Sequence, residues 1–77
     1  RATEGILRGH RAVMDEFDPQ RKVSLVMDEW GAWHEPHPGK AAWGLYQQNA
    51  LRDALMAAIT LDVFHNACDI VRLACLA

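Results

Sequence analysis

Two adjacent carboxylates and two tryptophans follow the apolar run 23–27, and these residues are best suited to carry chemistry. Asp28 and Glu29 come directly after that run, Trp30 is next, and Trp33 follows in a segment rich in Gly and Pro. Enzymes built as barrels of parallel strands place their catalytic groups at the carboxyl ends of buried strands. An ionised carboxylate fixed there is aimed by its strand and can act as a nucleophile. Glu29 is therefore the candidate catalytic residue.

The two carboxylates are not expected to act as a pair. Neighbouring side chains of a strand point to opposite faces, so Asp28 is predicted to bond backbone or helix donors instead. Of the aromatic residues, Trp33 is the candidate substrate-binding residue, since a flat ring can pack against the C–H face of a sugar. Trp30 is predicted to pack in the interior, and Trp43 receives no role.

A metal site is the main rival interpretation. The pairs His34-x-x-His37 and His65-x-x-Cys68 have the spacing of zinc ligands. Prolines at 36 and 38 deny the first pair a tight turn, however, and ligation also needs supporting partners that a sequence does not reveal. We therefore interpret the four as unrelated surface or loop residues and predict no metal.

The chain predicts an α/β order of helix, strand, loop, helix and strand, over residues 3–17, 23–28, 31–44, 46–66 and 70–76. The first strand, the second helix and the second strand form a βαβ unit, which requires parallel strands and a right-handed crossover. Thr3 and Asn49 are the predicted helix caps. In each predicted helix, residues that recur every three or four positions form one face. They are Ile6, Leu7, His10, Val13, Met14 and Phe17 in the first helix, and Leu51, Ala54, Leu55, Ala58, Ile59, Asp62 and Val63 in the second.

Composition bounds the class of protein. The 77 residues are 51% hydrophobic with a formal net charge of −2, which fits a globular chain and not a disordered one. No basic patch points to nucleic acid, and no run approaches the roughly 20 apolar residues of a membrane span. No signal peptide is visible, and Cys68 and Cys75 are expected to be buried reduced thiols. Both ends look cut, so we expect an excerpt of a longer protein.

Several blocks of the sequence together resemble one family. They are Met27-Asp28-Glu29-Trp30-Gly31 with Trp33, then Leu45-Tyr46-Gln47-Gln48-Asn49, Leu51-Arg52-Asp53-Ala54-Leu55, and Val71-Arg72-Leu73-Ala74-Cys75-Leu76-Ala77. In this order they resemble family 51 of the glycoside hydrolases, the α-L-arabinofuranosidases. The resemblance implies a (β/α)8 TIM barrel, of which residues 1–77 are a C-terminal part truncated at both ends, comprising helix 6, strand 7, helix 7 and strand 8.

The resemblance also implies the roles of individual residues. Glu29 would be the nucleophile, and Trp33 would lie at the sugar site. The family's acid/base Glu, at the end of the fourth strand, has no counterpart here, and its sugar-binding Gln would follow Ala77. Two departures concern local hydrogen bonding: residues 67–71 read Ala-Cys-Asp-Ile-Val where the family has His-Ala-Asp-Arg-Val, and His34 stands where some members have Tyr.

The implied activity is retaining hydrolysis that removes α-L-arabinofuranosyl residues from arabinoxylan or arabinan, within hemicellulose degradation and L-arabinose metabolism. Such a reaction uses two carboxyl groups about 5–5.5 Å apart and no cofactor. We expect arabinose-containing oligosaccharides or polysaccharides as partners, no nucleic acid or membrane, a cytoplasmic location and a homo-oligomeric parent, with the fragment itself inactive. The alternative is a small non-enzymatic module, helical or stapled by zinc.

Overall fold

The structure, a computed structural model, describes residues 2–44, 46 and 49–77. Helix α1 (Ala2–Phe17) leads to strand β1 (Leu25–Trp30), and a single 3-10 turn (Ala42–Gly44) lies in the connection that follows. Helix α2 (Leu51–Asn66) and strand β2 (Val71–Leu76) complete the chain. The predicted order of helix, strand, loop, helix and strand is confirmed.

Strand β1 begins two residues later than the sequence predicts, because Asp18 holds the preceding segment in a turn. Its carboxylate accepts the backbone N–H groups of Lys22 at 3.1 Å and Val23 at 2.8 Å. Arg21 adopts a left-handed backbone conformation (φ 54°), and its N–H donates to the Asp18 carbonyl at 3.0 Å. These bonds divert the backbone donors of residues 21–23, so pairing with β2 starts at Leu25.

Helix α2 begins at Leu51 and not at residue 46. Its N-cap is Ala50 (φ −141°, ψ 174°), so the predicted cap at Asn49 is wrong. Alanine has no side-chain acceptor for the first helical N–H groups. A residue of the first helical turn stabilises the helix start instead, because the Asp53 carboxylate accepts the Ala50 N–H at 2.7 Å.

The two strands are parallel, as a βαβ unit requires. Their register contains two irregularities. One extra residue lies on β2 between the pairs Leu25↔Val71 and Val26↔Leu73, and one lies on β1 between Met27↔Ala74 and Trp30↔Leu76. The second irregularity is a β-bulge that falls on Asp28 and Glu29, and bulges commonly re-aim side chains near functional sites.

The core lies between the sheet and the two helices. It consists of the buried residues Leu7, Phe64, Ala67, Ile70 and Val71, with Met14, Leu25, Met27, Trp30, Val63 and Ala74 packed against them. The predicted helix faces are therefore only partly right. Of the residues predicted to be covered, Leu7 and Met14 of α1 and Val63 of α2 pack against the core.

The other residues of the predicted faces are exposed. They are Ile6, His10, Val13 and Phe17 in α1, and Leu51, Ala54, Leu55, Ala58, Ile59 and Asp62 in α2.

A bidentate ion pair ties α1 to the turn before β2. The Arg11 guanidinium donates to both oxygens of Asp69, at 2.5 and 2.7 Å. This contact lowers the pKa of the Asp69 carboxyl from 3.8 to about 2 and raises the pKa of Arg11. The prediction of buried cysteines is wrong, because Cys68 and Cys75 are both exposed thiols that neighbour residues facing the core.

Neither helix of the described segments has the length and apolar character needed to cross a bilayer.

Candidate active site at the carboxyl edge of the sheet

The carboxyl ends of β1 and β2 and the start of α2 meet at one edge of the structure. The strands are parallel, so both end on the same side, and the Ala77 N–H donates to the Trp30 carbonyl at 2.8 Å. Gly31 fits closely there, since a Cβ atom on it would lie 2.6 Å from the Ala77 carbonyl oxygen. A pocket of about 380 Å³ opens at this edge, between Ala32 of the connection, the first turns of α2 and the end of β2.

Glu29 lies at this edge as an exposed side chain, and the bulge explains why. Strict alternation would place Glu29 on the covered face together with Leu25 and Met27, and Trp30 on the other face. The extra residue in β1 reverses this, because Trp30 packs against the core with Leu25 and Met27 while Glu29 is exposed. The bulge thus keeps the carboxylate out of the apolar layer.

Asp28 is exposed as well. No hydrogen bond or ion pair joins Asp28 or Glu29 to another described residue. The bonds predicted from Asp28 to backbone or helix donors are therefore not found in the part of the chain that the structure describes.

Trp30 supports the end of β1. Its ring meets the ring of Phe64 edge to face, with centroids 5.2 Å apart and an interplanar angle of 80°. The indole Nε1 is buried without a hydrogen-bond partner among the described residues. The ring therefore acts as a packing element, which agrees with its predicted role.

Trp33 lies in the connection between β1 and α2, with 67% of its surface exposed. The residue after it is tied to α2, because His34 Nε2 lies 2.8 Å from an oxygen of Asp53. The other Asp53 oxygen accepts the Ala50 N–H at 2.7 Å. The Ala50 N–H, followed by the His34 ring, lowers the pKa of the Asp53 carboxyl.

Further along, the connection is held by Tyr46. The His37 N–H donates to the Tyr46 carbonyl at 3.1 Å, and the two rings meet edge to face at 5.6 Å. The ammonium group of Lys40 lies 5.0 Å from the centroid of the Tyr46 ring. Trp43, which received no predicted role, is highly exposed.

Sequence reasoning missed the contact between His34 and Asp53. The sequence predicts no individual role for Asp53, and it marks His34 only as a departure from the family and as one residue of a possible zinc-binding pair. One signal was available: an acidic residue three positions after a helix cap commonly accepts the N–H of that cap. This pattern identifies Asp53 as a fixed carboxylate, although it does not identify the histidine that reaches it.

The structure separates the two pairs that suggested zinc. His34 and His37 precede α2, whereas His65 and Cys68 lie at its far end, where the Cys68 N–H donates to the His65 carbonyl at 3.2 Å. The intervening helix has 16 residues and is about 24 Å long. Within residues 2–44, 46 and 49–77, no three His, Cys, Asp or Glu side chains are grouped closely enough to hold a metal ion.

Comparisons with known proteins agree with the architecture of this edge. Residues 28–77 match the family model described as the alpha-L-arabinofuranosidase C-terminal domain. An intracellular exo-alpha-L-arabinofuranosidase of Bacteroides ovatus is 45% identical over 71 residues, which are 92% of this chain. The crystal structure of the GH51 arabinofuranosidase from Xanthomonas axonopodis pv. citri superimposes with a TM-score of 0.86 at 46% identity over 96% of the chain.

The chain spans a small part of these relatives, namely 14% of the Bacteroides protein and 15% of the Xanthomonas chain. Within that part, the match extends over nearly all of the chain's residues, and the family model covers the end of β1, the connection with Trp33, α2 and β2. The chain belongs to family 51 of the glycoside hydrolases, the α-L-arabinofuranosidases.

Proposed function

We propose that the protein carrying this chain is a retaining exo-acting α-L-arabinofuranosidase with Glu29 as its nucleophile. The observation that carries the proposal is the exposed Glu29 at the carboxyl end of a parallel strand, kept out of the core by a bulge. Membership of the family supports hydrolysis of arabinofuranosides. Arabinoxylan and arabinan are the substrates we propose, as glycans that carry terminal arabinofuranosyl groups.

The fold proposed for the whole protein is a (β/α)8 TIM barrel, to which residues 1–77 contribute helix 6, strand 7, helix 7 and strand 8. Two parallel strands joined by a helix are the repeating unit of such a barrel. The face of the sheet away from the helices exposes Val26 and Leu73, which are register partners and 48% and 55% exposed. Apolar branched side chains at such positions suit the packed interior of a barrel.

The chemistry follows from two carboxyl groups on opposite sides of one glycosidic bond. The Glu29 carboxylate attacks the anomeric carbon and forms a glycosyl ester, while the leaving oxygen takes a proton from a second carboxylic acid. Water, deprotonated by that second group, then hydrolyses the ester and restores Glu29. The second group must lie about 5–5.5 Å from Glu29, and we propose that it lies outside residues 1–77.

Trp33 is the substrate-binding residue of the proposal. Its ring is largely exposed close behind the end of β1, so it can form a wall for the sugar beside Glu29. The chain alone lacks the proton donor and is expected to be inactive. This chemistry requires no cofactor. We infer a cytoplasmic location, since the Bacteroides relative is named intracellular. We also propose that the full-length protein is a homo-oligomer.

The test replaces Glu29 in the full-length enzyme. Glu29→Gln should lower turnover of 4-nitrophenyl α-L-arabinofuranoside by roughly a thousandfold or more, since it removes the attacking group. In Glu29→Gly, added azide should restore release of nitrophenol by attacking from the vacated position. Glu16→Gln, a matched change at an exposed residue of α1, should retain activity. Normal turnover in Glu29→Gln would refute the assignment.

A further inference from the structure

The connection between β1 and α2 is fastened to the helix at the residue that follows Trp33. The His34 ring and the Asp53 carboxylate are both partly buried, with side chains 31% and 20% exposed, and their atoms are 2.8 Å apart. Trp33 itself is mainly exposed. The side chain proposed to meet the sugar therefore has little packing of its own, and its neighbour in sequence provides an anchor.

Asp53 is a rigid partner for this anchor. It lies in the first turn of α2, where the helix dipole favours a negative charge. One of its oxygens is already fixed by the Ala50 N–H at 2.7 Å. These contacts keep Asp53 ionised, so the His34 Nε2 that faces it carries the proton and donates. The bond is therefore charge-assisted, a class stronger and more directional than neutral hydrogen bonds.

The same helix start borders the pocket at the carboxyl edge. Asp53 lines this pocket together with Ala50 from the cap and Ala32 from the connection. A shift of His34 away from Asp53 would release the backbone on the α2 side of Trp33. The backbone at Trp33 is constrained on one side by the end of β1 and on the other by the bond to α2.

We propose that His34 is a positioning residue for sugar binding: through its bond to Asp53 it holds Trp33 beside the carboxyl end of β1. This inference rests on the function proposed above. It assigns His34 no contact with the reacting atoms. Its loss should therefore weaken the binding of the sugar and leave the chemical step largely intact.

The experiment measures KM and kcat of the full-length enzyme for 4-nitrophenyl α-L-arabinofuranoside. His34→Phe keeps a ring but removes the donor, and it should raise KM about fivefold while kcat changes less than about twofold. His34→Gln, whose amide can still donate to Asp53, should recover most of the loss. His65→Phe makes the same substitution at an exposed histidine at the other end of α2 and should leave both constants unchanged.

A double-mutant cycle with Trp33→Ala distinguishes positioning of Trp33 from a general structural role. If His34 acts through Trp33, His34→Phe should add less than about twofold to KM once Trp33 is absent. An unchanged KM in His34→Phe, or an equal increase with and without Trp33, would overturn the proposal. Should His34→Phe fail to fold, His34→Asn, which is too short to reach Asp53, replaces it with the same expected outcomes.

The Glu29→Gln variant separates this inference from the proposed function. An inactive Glu29→Gln enzyme together with a normal KM in His34→Phe would overturn the role of His34 and leave the proposed nucleophile intact. A fully active Glu29→Gln enzyme would overturn both.

Discussion

Phe64 braces the end of β1 through Trp30, and replacing it by leucine tests whether this contact supports the strand that carries Glu29. The Phe64 side chain is 4% exposed, and its ring meets the Trp30 ring edge to face at 5.2 Å. Trp30 is the residue directly after Glu29 and is the last residue of the strand. A looser Trp30 therefore frees the backbone from which the carboxylate projects.

The magnitude follows from two contributions. The edge-to-face pair is worth about 0.5–1.5 kcal/mol beyond the burial of its surface. Exchange of one large apolar side chain for another in a core usually costs less than about 1.5 kcal/mol. The sum gives an expected loss of about 0.5–3 kcal/mol in the free energy of unfolding. Phe17→Leu is the matched control, because Phe17 is 78% exposed at the end of α1 and its truncation should change that free energy by no more than about 0.5 kcal/mol.

The assay is urea denaturation of both full-length variants, with the midpoint compared at an unchanged slope, together with kcat for an aryl arabinofuranoside. Phe64→Leu should lower the midpoint and also lower kcat, since Glu29, the proposed nucleophile, must be held rigidly to attack. Equal midpoints for Phe64→Leu and Phe17→Leu would refute the packing argument. A lowered midpoint with normal kcat would keep the packing argument and reject the link from Trp30 to Glu29.

Three further predictions concern charge, capping and backbone space. The ion pair with Arg11 lowers the pKa of Asp69 from 3.8 to about 2. The stabilisation from the ionised Asp69 is therefore complete above about pH 5 and is lost as the pH falls towards about 2. Over that pH range the urea midpoint of Asp69→Asn should fall less than the midpoint of the wild type. Ala50→Ser supplies the missing cap acceptor and should stabilise the enzyme by about 0.5–2 kcal/mol, seen as a higher urea midpoint. Gly31→Ala places a Cβ atom 2.6 Å from a backbone oxygen at the end of β2 and should destabilise the enzyme by about 1–3 kcal/mol. In the matched control Gly5→Ala, the new Cβ atom lies in open space on α1. This change should raise the free energy of unfolding by about 0.5–1 kcal/mol, seen as a higher urea midpoint.

The order of elements was predictable because it depends on local signals. Pro19 interrupts the first helical pattern, the run 23–27 is too short for a helix, and Gly and Pro fill the connection after it. The boundaries were less predictable because they depend on specific bonds. Asp18 delays β1 by accepting two N–H groups, and the cap at Ala50 involves a residue type that carries no capping signal.

Helical periodicity identified apolar faces but not which face is covered. In α2 the spacing of Leu51, Leu55 and Ile59 predicts a buried stripe, yet these residues are exposed while Phe64 is buried. The helix is apolar on more than one side, so the spacing alone has two solutions. The choice between them depends on where α1 and β2 lie, and this is a tertiary property that no window of the sequence contains.

The bulge in β1 resolves a conflict that the sequence places at the end of the strand. Counting alternately from Met27 would bury Glu29 against the helices and expose Trp30. Burial of an unpaired carboxylate is strongly unfavourable, and exposure of the indole would forfeit its contact with Phe64. The extra residue in β1 avoids both costs, because it places the Trp30 side chain on the covered face and leaves the Glu29 carboxylate outside the core. The position of the candidate nucleophile is therefore set by the pairing of β1 with β2 as much as by its own place in the sequence.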